Sequence, residues 1–229
     1  MSFSHCQCQN HCKMVPISLT FVQYIEDDIF GKLFAMMSLL PILGIFTIFT
    51  VVCLRRDLKT IWLFFGCLLS EILNFILKRI FRADRPRSEL SVPGQYHRYG
   101  MPSDHSQMAA FISIYMAFVV MKSRLFGRQS IFKRLFCTII IISIGCLISF
   151  SRIYLCYHSL AQMMVGYGVG CIFAILWFNA FMKYIYLASK SIINHWVSRY
   201  FMIRDYSNIP DILERQYHWE IESALKHTD

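Results

Sequence analysis

The sequence predicts an all-α fold: a polytopic membrane helix bundle of about five transmembrane helices. Three observations carry that expectation. Hydrophobic residues make up 56% of the 229 and charged residues only 16%, against about 45–50% and about 25% in soluble domains. The mean hydropathy is +0.45, and twenty Phe and twelve Met contribute to it. The apolar residues also gather in runs of the length a bilayer-crossing helix needs, about 17–25 residues. An ordinary soluble domain and a disordered chain are both excluded. The net charge of +9 would suit nucleic acid in a soluble protein. In a membrane chain it points instead to anionic headgroups or phosphorylated lipids, with no nucleic-acid partner.

Residues 1–32 are expected to form a tail and an interfacial segment, with 17–30 lying on the surface. Cys6, Cys8 and Cys12 cluster there with His5 and His11, in a spacing that matches no zinc pattern well. The positive stretch and apolar core of a cleaved signal peptide are missing, so internal spans must drive insertion. The membrane domain covers 33–182, with spans at 33–53, 60–77, 106–121, 135–151 and 159–182. Only helices are expected, because an isolated strand cannot satisfy its backbone in lipid. Glu71 is the single charge of the second span, and an intramembrane carboxylate calls for a structural partner on a neighbouring helix. Asn74, one turn later, reads the same way. Gly166, Gly168 and Gly170 in the last span allow close helix packing. Cys53, Cys67, Cys137, Cys146, Cys156 and Cys171 read as small buried hydrophobes. A polar tail, 183–229, completes the chain.

Five spans place the connections alternately on two sides, with eleven cations on the first side and nine on the second. That difference barely sets orientation, so the second side's cations need their own explanation. Three segments meet there: Lys78 through Pro86 after the second span, Met101 through Ser106 before the third, and Ser151-Arg152 with His158 between the fourth and fifth. Two histidines and several Lys and Arg side chains converge with a hydroxyl at a helix start. Pro102-Ser103 makes a good helix opening with Ser103 as N-cap, and a helix N-terminus favours anions. Arg offers bidentate bonds to phosphate oxygens and Lys a point charge. Histidine can attack phosphorus or protonate a leaving oxygen near neutral pH. No dense carboxylate set is present to hold Mg²⁺, so no cofactor is implied. Taken by themselves, these residues also fit a basic loop that meets headgroups, or a membrane protein that binds phospholipid without catalysis.

Lys78-(six residues)-Arg85-Pro86, Pro102-Ser103-x-His105 and Ser151-Arg152-(five residues)-His158 together resemble the three signatures of the type 2 phosphatidic acid phosphatase (PAP2) superfamily, in order and in placement at span ends. The resemblance implies a metal-independent hydrolase. His158 would be the nucleophile that forms a phosphohistidine, and His105 would protonate the leaving group. Lys78, Arg85, Ser103 and Arg152 would hold the phosphoryl oxygens. Two positions depart from the usual pattern: Asp104 replaces a Gly, and Gln162 replaces the Asp that would orient the nucleophilic ring. A carboxylate at 104 would repel phosphate, so its side chain is expected to turn away from the pocket. Gln162 can accept the ring N–H but brings no charge.

Within the superfamily, the stretch Tyr154-Leu155-Cys156-Tyr157-His158-Ser159-Leu160-Ala161-Gln162 is similar to the dolichyldiphosphatase branch, which carries Gln there. Gly100 through Gln107 is similar apart from Asp104, as are Val15 through Thr20 and Phe201 through Pro210. That likeness implies a polyisoprenoid pyrophosphate lipid substrate: dolichyl pyrophosphate, cleaved to dolichyl phosphate and inorganic phosphate. It also implies a multi-pass protein of the endoplasmic reticulum membrane whose active site faces the lumen and recycles the carrier for N-glycosylation. The alternative enzyme is a phosphatase for lipid monophosphates such as phosphatidate. Arg79, Arg82, Arg87 and Arg98 either add charge for a diphosphate or meet headgroups. Tyr154 and Tyr157 either belong to an interfacial belt or touch substrate.

Overall fold

The computed structural model describes residues 14–16, 22–86, 99–122, 131–205 and 217–222. A short antiparallel pair, β1 (Met14–Pro16) and β2 (Gln23–Ile25), precedes the helices. Then come α1 (Ile29–Met37), α2 (Leu40–Arg55), α3 (Leu58–Phe81), α4 (Asp104–Lys122), α5 (Ile131–Tyr154) and α6 (Leu160–Ala180). A π-helical turn, Phe181–Ile185, leads into α7 (Tyr186–Asn194) and α8 (Trp196–Tyr200). The expected surface segment is thus partly a β-hairpin arm. The last apolar run, expected to end near Met182, continues as helix to Asn194.

Four helical stretches are long and apolar enough to cross a membrane: Ile29–Arg55, Leu58–Phe81, Ile131–Tyr154 and Leu160–Asn194. The third expected span, 106–121, also forms a helix, α4, but it differs in kind. It packs along its length on α5 and α6 and buries Ser106, Gln107, Phe111, Ser113 and Tyr115. A helix shielded by its neighbours need not be as apolar as one bathed in lipid, because its polar groups find protein partners. The outer helices show the opposite pattern, with Phe46, Phe136 and Ile172 turned outward and more than three-fifths exposed.

Small residues let the helices close on α4. A side chain on Gly166 of α6 would come within 2.5 Å of the Ser103 carbonyl oxygen, and one on Gly170 would collide with the Gln107 carbonyl. On α5, Gly145 faces Ser113; on α3, Gly66 faces Phe111 and Trp177. Gly168 meets nothing, so two of the three glycines expected to pack do so. The core joins Leu63 and Cys67 of α3, Met108, Phe111 and Tyr115 of α4, and Ala174 and Phe178 of α6. Trp62 and Trp177 stack at 4.2 Å between centroids, and each indole N–H donates to the other's carbonyl, at 3.2 and 3.0 Å. These contacts lock α3, α4 and α6 in register, and their ends carry the polar cluster.

Candidate active site

Each functional side chain stands where a helix begins or ends. Asp57 caps the start of α3 by accepting from the Thr60 N–H. The helix ends at Arg82, whose φ of 47° is left-handed and stops the chain there. Lys78 lies in that last turn, buried to 4% exposure. Beyond it, the Gly100 N–H donates to the Ala83 carbonyl at 2.7 Å, and Asp84 pairs with Tyr99. A side chain at 100 would strike both Arg85 and Gln162, so the glycine is what lets these two approach.

At the start of α4 the Ser103 carbonyl accepts the first helical bond, from Gln107 N–H, as an N-cap residue's should. Its hydroxyl is engaged by the Ser106 hydroxyl at 3.1 Å rather than by a backbone N–H, and Ser103 is fully buried. Below it runs a polar chain absent from the sequence expectations. Asn74 donates to Gln107 Oε1 at 2.9 Å, and Gln107 Nε2 donates to the Ser70 carbonyl at 2.7 Å. Asn74 therefore has the structural role expected of it. Glu71 does not: it is exposed, and no hydrogen bond or ion pair among the described residues involves it.

The third segment links α5 to α6. Arg152 is in the last turn of α5, and its carbonyl accepts from both Tyr157 N–H (3.0 Å) and His158 N–H (3.2 Å). Cys156, with φ 57°, reverses the chain between them. Read from sequence as a small buried hydrophobe, Cys156 is instead disulfide-bonded; Cys6, Cys8 and Cys12 lie outside the described residues. The Arg152 guanidinium sits 4.3 Å over the Tyr157 ring. The Tyr157 hydroxyl accepts from Gln23 N–H, and Tyr154 donates to Asp28, so both tyrosines tie the N-terminal arm to this loop.

Ser159 and Gln162 open α6 as a reciprocal capping box. That pattern was visible in the sequence as Ser-x-x-Gln ahead of an apolar run. Gln162 Oε1 accepts from Ser159 N–H and lies 3.2 Å from His158 Nδ1, while its Nε2 donates to the Asp84 carbonyl at 2.7 Å. One amide thus fixes the helix start, the imidazole and the segment bearing Arg85. The Nδ1 contact puts the ring proton on that nitrogen and leaves the Nε2 lone pair bare. Burial, the largest influence, pushes the His158 imidazole down to about 4, with the Asp104 carboxylate acting in the opposite sense.

Asp104 corrects one expectation. It does not turn away. Its Oδ2 is 3.6 Å from Lys78 Nζ, and its Oδ1 is 3.2 Å from His105 Nδ1 and 3.8 Å from His158 Nε2. The Lys78 ammonium of α3 and the two imidazoles hold the carboxylate in the pocket. Both histidines, which come from different parts of the chain, reach the same carboxylate oxygen. Arg85 Nε, Arg152 Nε and His158 Nε2 are buried without a hydrogen-bond partner among the described residues. Buried polar atoms are nearly always paired, so three orphans at one place fit an anion with several oxygens. Arg79 lies instead over the Phe75 ring, and the Arg82 side chain donates back to the Arg79 carbonyl. Arg87 and Arg98 lie outside the described residues.

The sequence pattern of the PAP2 superfamily matches residues 59–186. Dolichyldiphosphatase 1 of Dictyostelium discoideum is 33% identical over 88% of this chain and 87% of its own. Dolichyldiphosphatase 1 of Homo sapiens is also 33% identical, over 92% of this chain and 90% of its own. Among solved structures, the transmembrane PAP2-type phosphatidylglycerolphosphate phosphatase of Bacillus subtilis superposes with a TM-score of 0.57 over 70% of this chain and 80% of that one, at 20% identity. The match covers the four helices that hold the cluster and the motif residues at their ends, and the chain therefore belongs to the PAP2 superfamily, as a multi-pass membrane lipid phosphatase.

Proposed function

We propose that the protein hydrolyses dolichyl pyrophosphate to dolichyl phosphate and inorganic phosphate through a phosphohistidine on His158. The observation that carries this reading is the meeting of His105 and His158 at one carboxylate oxygen, with the buried Lys78 and Arg152 and the half-buried Arg85 around them. The similarity to two dolichyldiphosphatases over about nine-tenths of the chain supports the choice of substrate.

In the first step the His158 Nε2 lone pair attacks the terminal phosphorus. An N–P bond forms as the bridging P–O bond breaks, and the departing lipid phosphate takes a proton from His105. Water then attacks the phosphohistidine and gives its proton to His105, releasing inorganic phosphate and restoring the imidazole. Lys78, Arg85 and Arg152 offset the charge that develops on the phosphoryl oxygens. Gln162 orients His158 without charging it. Asp104 orients His105 and offsets part of the surrounding positive charge.

The disulfide at Cys156, two residues before His158, supports placing this end of the bundle in an oxidising compartment. That fits the lumen of the endoplasmic reticulum, where the reaction would recycle the lipid carrier for N-glycosylation. The test is phosphate release by the purified protein in excess EDTA, from dolichyl pyrophosphate and from phosphatidate at matched surface concentration. Preference for the pyrophosphate is expected. Equal or faster release from phosphatidate favours the monophosphatase reading, and no release from either substrate overturns both.

A further inference from the structure

A second polar feature lies at the far end of the bundle. A cavity of about 280 Å³ opens there, lined by Lys59, Lys122, Tyr115, Phe178, Phe181 and Tyr186. Three helices fix its distance from the catalytic cluster. Lys59 and Lys78 stand near opposite ends of α3, His105 and Lys122 near opposite ends of α4, and Gln162 and Phe178 near opposite ends of α6. At 1.5 Å rise per residue each pair is separated by roughly 24–29 Å, nearly the thickness of a bilayer's hydrocarbon core. The cavity therefore belongs to the opposite membrane face and is no extension of the catalytic pocket.

Its construction is specific. The π-helical turn Phe181–Ile185 departs from the regular helix where Phe181 and Met182 form the wall, and such turns are found often at functional sites. Tyr115 is 2% exposed and lines the cavity, yet no hydrogen bond among the described residues involves its hydroxyl. The hydroxyl of this lining residue is therefore available to donate to an occupant of the cavity. Lys122 holds its ammonium 5.1 Å from the Phe178 ring centroid, over the apolar wall. The lining therefore pairs aromatic walls with two cations, which is the chemistry of an anionic amphiphile. A free anion would have no use for Phe178, Phe181 and Met182.

We infer that this cavity is a binding site for an anionic phospholipid of the leaflet opposite the catalytic site. Lys59 and Lys122 hold the headgroup phosphate, the Tyr115 hydroxyl donates to it, and the aromatic walls take the first methylenes of an acyl chain. Resting on the lumenal placement of the catalytic end proposed above, this end faces the cytosol, where anionic lipids are concentrated. A lipid seated here touches α3, α4 and α6 together and so stabilises the packing that aligns the catalytic ends.

The test uses the full chain in neutral detergent micelles carrying phosphatidylserine or phosphatidylcholine at equal mole fraction, with inorganic phosphate alone as a third arm. Thermal unfolding and phosphate release are read from the same samples. Phosphatidylserine should raise Tm by several degrees above phosphatidylcholine, and any rise from inorganic phosphate, which the catalytic pocket can hold as product, should be unchanged by the double substitution Lys59→Gln, Lys122→Gln. That double substitution should remove the phosphatidylserine increment while keeping wild-type Tm and wild-type phosphate release in phosphatidylcholine. Val119→Phe, which fills the cavity from α4, should remove the increment with both lysines intact. Equal Tm in the two lipids, the full increment surviving in either variant, or a phosphate-induced rise that the double substitution removes would each overturn the proposal.

Discussion

The starts of α4 and α6 each present a histidine to the same pocket, and they hold it by different means. His105 lies within the first turn of α4 beside a carboxylate, with its Nδ1 3.2 Å from Asp104 Oδ1. His158 lies just ahead of α6 against a neutral amide, with its Nδ1 3.2 Å from Gln162 Oε1. The backbones of the two starts are tied by the Ser103 N–H bond to the Gln162 carbonyl, and Gly166 keeps them close. The geometry is nearly matched and the charge is not. The reaction needs one ring as nucleophile and the other as proton carrier; burial lowers both imidazoles, and the Asp104 carboxylate that opposes it stands at 3.2 Å from His105 Nδ1 and 3.8 Å from His158 Nε2. Exchanging or deleting these surroundings tests that division.

The largest effect is expected from the rings themselves. His158→Ala should lower phosphate release by about a thousandfold or more and leave no acid-labile phosphoenzyme. His105→Ala should cost about 10²–10⁴-fold yet still yield labelled phosphoenzyme after an alkaline denaturing quench, because the lipid phosphate is a good leaving group even without a donor. A labelled His158→Ala protein would reverse the assignment of the two rings.

Much of this arrangement was legible because the chemistry requires given residue types at helix ends, and helix ends are readable from apolar runs. Lys78, Arg85, Ser103, His105, Arg152 and His158 all stand at the predicted ends of spans. What could not be read was which way a short polar side chain turns. Asp104 at the first residue of a helix is favourable pointing outward or inward; Lys78, from a different helix, decides the matter. The pairing of Glu71 failed as an expectation because the period of a helix does not reveal which face its neighbours cover. The span expected at 106–121 gave no sign of its depth by hydropathy alone, and Ser106, Gln107 and Ser113 along it are the residues that mark a helix enclosed by protein. The capping box at Ser159 and Gln162 was legible in full, but the family pattern drew attention to Gln162 as the histidine's partner alone.

Asp104→Asn separates charge from geometry at α4. The amide keeps the size and can keep the contact to His105, while the charge beside Lys78 is lost. A fall in kcat of about 10–100-fold, the usual cost of removing a group that orients a reacting side chain, should come with an unchanged or lower KM, since repulsion of the anionic substrate is relieved. A rise in kcat would mean that Asp104 obstructs phosphate and positions nothing. Unchanged kcat and KM would mean that its contacts with both rings are incidental.

Gln162→Glu makes α6 resemble α4 and has the smallest expected effect on rate at neutral pH, about tenfold or less. The new carboxylate would keep its oxygen against His158 Nδ1 and Ser159 N–H but lose the donation to the Asp84 carbonyl, at a cost of about 1–3 kcal/mol of stability. In the wild type, burial holds His158 down at about 4, so the ring is neutral through the physiological range and gains a proton only as pH falls through that value. The acid limb of kcat/KM should accordingly lie well below the 6.5 of an unperturbed imidazole. A negative charge at Nδ1 favours the protonated ring and raises its pKa, which moves that limb upward by about one pH unit or more. The shift in the pH profile is the informative reading, because damage to folding would lower the whole curve without moving its limb. If the limb stays put while the plateau falls, Gln162 serves only to cap α6, and the neutral surroundings of the nucleophile are not what keeps it free of a proton.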